Sequence, residues 1–179
     1  MTRSIALLRA VNVGGRKLVM AELRALLADL GHPEARTLLQ SGNLVFDPWR
    51  RAGAELEAWL AAETLTRFGL ATDFIVRTAA EWAALLAANP FPETAESDPA
   101  HLLAMPLKSA PRDGAFAALQ AAITGPEQAR LIGRDLYVTY PAGVGPSKLT
   151  GAVIERRLGV RGTARNWNTV RKLGEMVAA

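Results

Sequence analysis

The chain contains no cysteine, which excludes disulfides, thiolate catalysis and cysteine-ligated zinc or iron–sulfur sites together. Its two histidines, His32 and His101, are too few for a histidine metal cluster. No metal and no cofactor is expected. No stretch approaches eighteen uninterrupted apolar residues, so no membrane-spanning helix and no membrane partner is expected. The opening MTRSIALLRA has only Ser4 to Leu8 uncharged between Arg3 and Arg9, too little for a signal-peptide core, and cytoplasmic location is the expectation.

What is present is an ordinary globular composition: 179 residues, 50% hydrophobic, net charge +4, enough for one sizeable core or two small ones. The charge is uneven. Residues 78–100 carry four acids and no Lys or Arg, whereas 141–179 carry seven Lys/Arg against two acids. An anionic partner at the C-terminal end explains that excess, and so does a solvated arginine-rich helix face, the reading that suits Arg156 and Arg157.

Pattern along the chain predicts two rounds of the same element order. SIALLRA is a compact apolar run, read as a buried strand, followed by a glycine turn VNVGGRK. In MAELRALLADLG the residues Leu23, Leu26, Leu27 and Leu30 share one helical face, and Gly31 supplies a left-handed stop. ARTLLQ and NLVFD read as a hairpin through Ser41-Gly42. Residues 52–69 are helical, and TDFIVR closes the first βαββαβ round.

Thr78 to Glu81 has the spacing of a capping box for the helix EWAALLAAN, and NPFPETAESDP reads as an acidic, proline-rich linker. Then HLLAMPL is a strand, PRDGAFAALQAAI a helix, EQARLIG and RDLYVTY a hairpin about Gly133, and SKLTGAVIERRLG a helix. GVRGTAR is the closing strand, with Asn168 opening a last helix. The expected organisation is α+β: two ferredoxin-like subdomains with antiparallel sheets, plus a C-terminal helix. Their bounds are 1–77 and 101–179, joined by a helix and linker over 78–100.

That plan sorts loops onto sheet edges, because the first strand of each round runs antiparallel to the third and fourth. In the first round the turn Asn12-Val13-Gly14-Gly15 shares an edge with Ser41-Gly42-Asn43. In the second, the loop PAGVGPSK shares an edge with Arg165, Asn166, Trp167 and Asn168. There Gly143 and Gly145 permit close backbone approach, Ser147 reads as an N-cap, and Lys148 stands in the first turn of its helix. Two helix N-termini with Lys148 and Arg165 suit a phosphate or carboxylate. A lysine in a helical first turn is disfavoured by the dipole unless an anion offsets it. The plainer reading stays open beside it: the asparagines cap and turn the chain, Trp167 anchors the last helix, Lys148 is solvated, and the first glycine pair is a simple β-to-α turn.

Other chemistries find less support. GPSKLT fails the Walker pattern and the first turn is not G-x-G-x-x-G. His32 follows a glycine and His101 opens a strand, both read as structural or surface positions. Ser41 lacks the glycine two residues ahead and a placed histidine that a nucleophile elbow needs. Asp47 and Asp135 border hairpins as solvated carboxylates. Trp49, Trp59 and Trp82 read as packing residues.

LLRAVNVGG, LLQSGNLVF, ANPFP, GRDLYVTYPAGVGPSKL and TARNWNTVRKL together resemble the bacterial family called domain of unknown function 1697, over nearly the whole chain. Where many members read L-R-G-I-N-V-G-G, this chain has Ala10 and Val11. The resemblance implies a compact α+β fold of two ferredoxin-like subdomains and no established biochemical role.

The expected function is a binding module for a phosphate-bearing small molecule or nucleotide, with Arg9, Asn12, Gly14, Gly15, Lys17, Ser41, Asn43, Gly145, Ser147, Lys148, Arg165, Asn166 and Asn168 as candidate ligand-binding residues. RNA is the less favoured partner, because an RNA-recognition sheet displays aromatics on its central strands, and SIALLRA offers none and NLVFD only Phe46. Two alternatives stand beside it: a transferase or hydrolase acting on a phosphorylated substrate, and a ligand-free structural domain that forms homo-oligomers. No catalytic residue is assigned.

Overall fold

The structure is a computed structural model and describes residues 3–10, 17–47 and 50–179. It divides into two compact units. One runs to Ala84 and takes in Leu173–Ala179; the other is Leu85–Lys172.

The first unit contains β1 (Ser4–Leu8), α1 (Met20–Asp29), β2 (Arg36–Leu38), β3 (Asn43–Phe46), α2 (Gly53–Phe68) and β4 (Phe74–Thr78), followed by α3 (Ala79–Ala87). The sheet order is β2-β3-β1-β4, and β1 is antiparallel to both β3 and β4, with Ala6 opposite Leu44 and Val76. All five residues of β1 are buried, which is why SIALL reads as a continuous apolar run and not as an alternation. One sheet face packs on α1 and α2 through Leu8, Leu23, Leu27, Phe46, Leu60 and Phe74. Ile5, Leu7, Val45 and Ile75 of the other face are buried as well.

The capping box at Thr78 is formed. The Glu81 carboxylate accepts from the Thr78 amide at 2.8 Å, and the Thr78 hydroxyl accepts from the Glu81 amide at 3.2 Å. The stretch read as a linker carries a short helix, α4 (Pro92–Ser97), with Pro92 in its first turn, where the missing amide proton costs nothing.

The second unit repeats the order: β5 (Leu102–Pro106), α5 (Ala115–Gln120), β6 (Gln128–Ile132), β7 (Asp135–Thr139), α6 (Gly151–Leu158) and β8 (Arg165–Asn166); α7 (Trp167–Ala178) follows and from Leu173 onward is counted with the first unit. Its sheet order is β6-β7-β5-β8, again with the first strand antiparallel to the third and fourth. Both units therefore have the ferredoxin-like plan. The core under α5 and α6 is built from Met105, Leu107, Leu119, Val138, Ile154 and Leu158. β8 is shorter than GVRGTAR suggests, two residues preceded by an isolated bridge between Leu107 and Gly162.

Two helix starts differ from the sequence expectation. α6 begins at Gly151, capped by Thr150, whose hydroxyl accepts from the Val153 amide at 3.3 Å. Ser147 is not its cap: its hydroxyl accepts from the Leu149 amide at 3.0 Å, a local turn that ends before the helix starts. Lys148 is consequently outside the helical first turn, and the α6 dipole does not disfavour its charge as the sequence suggests. α7 is capped by Asn166, whose Oδ1 accepts from the Thr169 amide at 3.0 Å; Asn168 sits within the first turn.

Candidate functional site

In the second unit α5 packs against α6. The loop leaving α5 is thereby set beside the loop entering α6. Between them lies a cavity of about 210 Å³ lined by residues 124–127 and by Ala142 and Pro146–Leu149. Glu127 is its organised group. Its Oε1 accepts a hydrogen bond from the Ser147 hydroxyl, and its Oε2 lies so close over Gly125 that a Cβ there would overlap it. The missing side chain at Gly125 gives the carboxylate its place.

Lys148 lines the same cavity and is exposed. Among the described residues its ammonium has no ion pair or hydrogen bond. Behind the loop, the Tyr140 hydroxyl donates to the Leu149 carbonyl at 2.9 Å. Burial, reinforced by the Glu127 charge, pushes the Tyr140 phenol up to about 12, so it is a neutral donor at physiological pH. The cavity thus offers one unpaired cation, one fixed carboxylate, and the hydroxyls of Thr124 and Ser147.

At the start of β5 the Asp98 carboxylate stands 2.7 Å from His101 Nδ1. His101 Nε2 points toward the loop 141–148: it and Pro146 Cδ both lie within 4 Å of where a Gly143 Cβ would be. Pro146 also lines the cavity, so the Asp98–His101 pair borders that loop.

The other residues proposed from the sequence are distributed as follows. Leu103 pairs with Asn166, and Leu102 with Thr139, so the ends of β7 and β8 share one edge as the topology requires. Arg165 is nevertheless only 8% exposed. Its guanidinium donates to the Thr163 hydroxyl and the Ala164 carbonyl, each at 2.8 Å. Arg165 faces the side of the sheet that carries its partner Ala104, not the side of the Met105–Val138 core. Burial lowers its pKa to about 10. Asn166 is occupied as the α7 cap, and Asn168 accepts from Arg171 at 3.3 Å on the surface. Gly145 is exposed with open space around it. Of this group only Ser147 and Lys148 line the cavity.

In the first unit, Leu8 donates to Gly42 and Arg9 to Asp73 through backbone amides at 2.8 and 2.9 Å, which draws the end of β1 to the β2–β3 turn. Asn43 is fully buried, and its amide donates to the Leu38 carbonyl at 2.8 Å and the Ser41 hydroxyl at 2.9 Å. These two residues tie the turn. Lys17 is exposed. Asn12, Gly14, Gly15 and Trp49 lie outside the described residues.

Sequence reasoning missed Glu127, Gly125, Thr124 and the Asp98–His101 pair. A Gly-Pro turn before β6 was the one visible signal. The partnership of Glu127 with Ser147 spans twenty positions and has no sequence signature.

The family described as "Protein of unknown function (DUF1697)" matches residues 1–137. The match ends before the loop 141–148 and the RNWN stretch. No curated protein gives a significant match. Among solved structures, the chain is similar to that of the conserved bacterial protein SP0830 from Streptococcus pneumoniae. The TM-score is 0.70 at 22% identity, over 100% of this chain and 99% of that one; at that identity the likeness speaks for the fold.

Proposed function

Because the chain belongs to the DUF1697 family, whose description carries no activity, we propose a function from the second unit's geometry: a binding module for a small molecule bearing a phosphate or similar anion. The observation that carries this reading is Lys148, an exposed ammonium without a partner among the described residues, at a cavity of about 210 Å³. A cation left unpaired at a concave site favours an anionic group there. The volume is below the roughly 300–1,000 Å³ of drug-sized pockets, which argues for a small ligand over a nucleic acid strand.

A second reading, an enzyme acting on a phosphorylated substrate, is favoured by the Asp98–His101 pair. A carboxylate on Nδ1 fixes the imidazole tautomer and leaves Nε2 to accept or deliver a proton.

The test is a thermal-shift series with inorganic phosphate, pyrophosphate and sugar phosphates on wild type and Lys148→Ala. A ligand at about a hundred times its dissociation constant stabilises by roughly 2.7 kcal/mol, several degrees at this size. A shift that Lys148→Ala loses supports the anion site. Equal behaviour of the two proteins in every arm would remove it.

A further inference from the structure

An anion site that contains a fixed carboxylate is a contradiction unless the ligand resolves it. Glu127 and Lys148 line one cavity, yet no ion pair joins them. A bare anion drawn to Lys148 would be repelled by the neighbouring carboxylate. Nor is Glu127 an accidental neighbour, since the Ser147 hydroxyl and the bare Gly125 backbone both fix its position. A carboxylate has about four acceptor positions on its two oxygens, and one hydroxyl, that of Ser147, takes up part of this capacity.

We infer that Glu127 accepts hydroxyl groups of the ligand while Lys148 holds its phosphate, so that the molecule recognised is a phosphorylated polyol, a sugar phosphate or the ribose phosphate of a nucleotide. The inference rests on the anion reading above and names its ligand class. Three features favour hydroxyls over an ammonium as the group facing Glu127. The carboxylate already accepts from a hydroxyl, that of Ser147. Apart from Lys148, the other polar side chains lining the cavity, Thr124 and Ser147, are neutral hydroxyls. The charge of Lys148 opposes a second cation beside it.

Isothermal titration of wild type, Lys148→Ala, Glu127→Gln and Gly125→Ala with ribose 5-phosphate, adenosine monophosphate, phosphoethanolamine and inorganic phosphate tests this. Gly125→Ala displaces the carboxylate without changing its charge. The overlap is with the far end of a flexible side chain, and Gly125 has no positive φ, so this variant folds.

Wild type is expected to bind ribose 5-phosphate at least about tenfold more tightly than inorganic phosphate, the scale of one hydrogen bond to a charged group. Glu127→Gln and Gly125→Ala should each lose that preference, while inorganic phosphate binds them as well as or better than wild type. Adenosine monophosphate matching ribose 5-phosphate would assign a nucleotide; a tenfold deficit would assign the free sugar. Undiminished binding of ribose 5-phosphate to Glu127→Gln, with Lys148-dependent phosphate binding intact, overturns the polyol inference and spares the anion site. A preference for phosphoethanolamine overturns it too, by giving Glu127 an ammonium. Failure of every phosphate to bind in a Lys148-dependent way overturns both.

Discussion

The Glu57 carboxylate on α2 accepts the Val76 amide of β4 at 2.9 Å, and Glu57 is only 2% exposed. β4 is an outermost strand of its sheet, where an unpaired amide row invites association with another chain. The second unit has a counterpart: Glu155 on α6 accepts the Gly162 amide at 3.1 Å, just before the outermost strand β8. In both units the second crossover helix supplies an acceptor to the chain entering or forming the fourth strand. Glu57→Ala is expected to destabilise by about 1–3 kcal/mol, the cost of leaving a buried donor unsatisfied. Glu57→Gln, which keeps an acceptor, should cost less. Urea unfolding of both variants measures the difference, and equal midpoints would remove Glu57 from this role.

Ala10 has φ +55°, a left-handed conformation that costs an L-residue about 1–2 kcal/mol. Ala10→Gly is therefore expected to stabilise by up to about 1 kcal/mol, the strain relieved exceeding the added unfolded-state entropy. A lowered midpoint in thermal unfolding would contradict the strain argument.

At Gly162 the fold leaves no room for a side chain. A Cβ would stand 2.7 Å from Leu107 Cδ2, 2.9 Å from Met105 Cε and 3.0 Å from the Pro106 carbonyl oxygen. The carbonyl belongs to β5 and has little freedom to move. Gly162→Ala should cost about 1–3 kcal/mol as overpacking. Gly145→Ala, with nothing within 4 Å, should stay within about 0.5 kcal/mol and serves as the control in the same denaturation series.

The chain has two tyrosines, Tyr137 and Tyr140, both buried. Burial is the larger cause raising each, with the Asp135 charge adding at Tyr137 and the Glu127 charge at Tyr140, the latter to about 12. The unfolded chain ionises them near 10. The folded state therefore binds these protons more tightly, and their stabilising contribution is complete below about pH 10 and is lost as pH rises, that of Tyr140 through about 12 and that of Tyr137 higher still. Phenolate absorbance should appear together with loss of circular dichroism, in one cooperative step. Phenolate appearing several tenths of a pH unit before unfolding would show that the hydroxyls of Tyr137 and Tyr140, bonded to Leu85 and Leu149 carbonyls, are more accessible than they stand.

Much of the fold was legible because its signals are local. The helical spacing of Leu23, Leu26 and Leu27 buries those residues on α1 as read. Thr78 and Glu81 stand three positions apart and need only one turn of helix to meet. Gly133, at φ +60°, marks the β6–β7 hairpin. The starts of α6 and α7 were misread for the same local reason: Ser147 and Thr150 are both competent caps, as are Asn166 and Asn168, and sequence does not rank them. Ser147 is drawn off by Glu127, a partner twenty residues away.

Periodicity and turn residues by themselves determined a twice-repeated βαββαβ order, since each element is specified by residues within a few positions of one another. Whether a cation is buried or presented is decided by the tertiary structure. Arg165 and Lys148 look alike in sequence as basic residues at one sheet edge. Strand register turns Arg165 into the fold, and the packing of α5 on α6 leaves Lys148 at a cavity beside Glu127. Such placements are sums over distant contacts, and no window of sequence contains them.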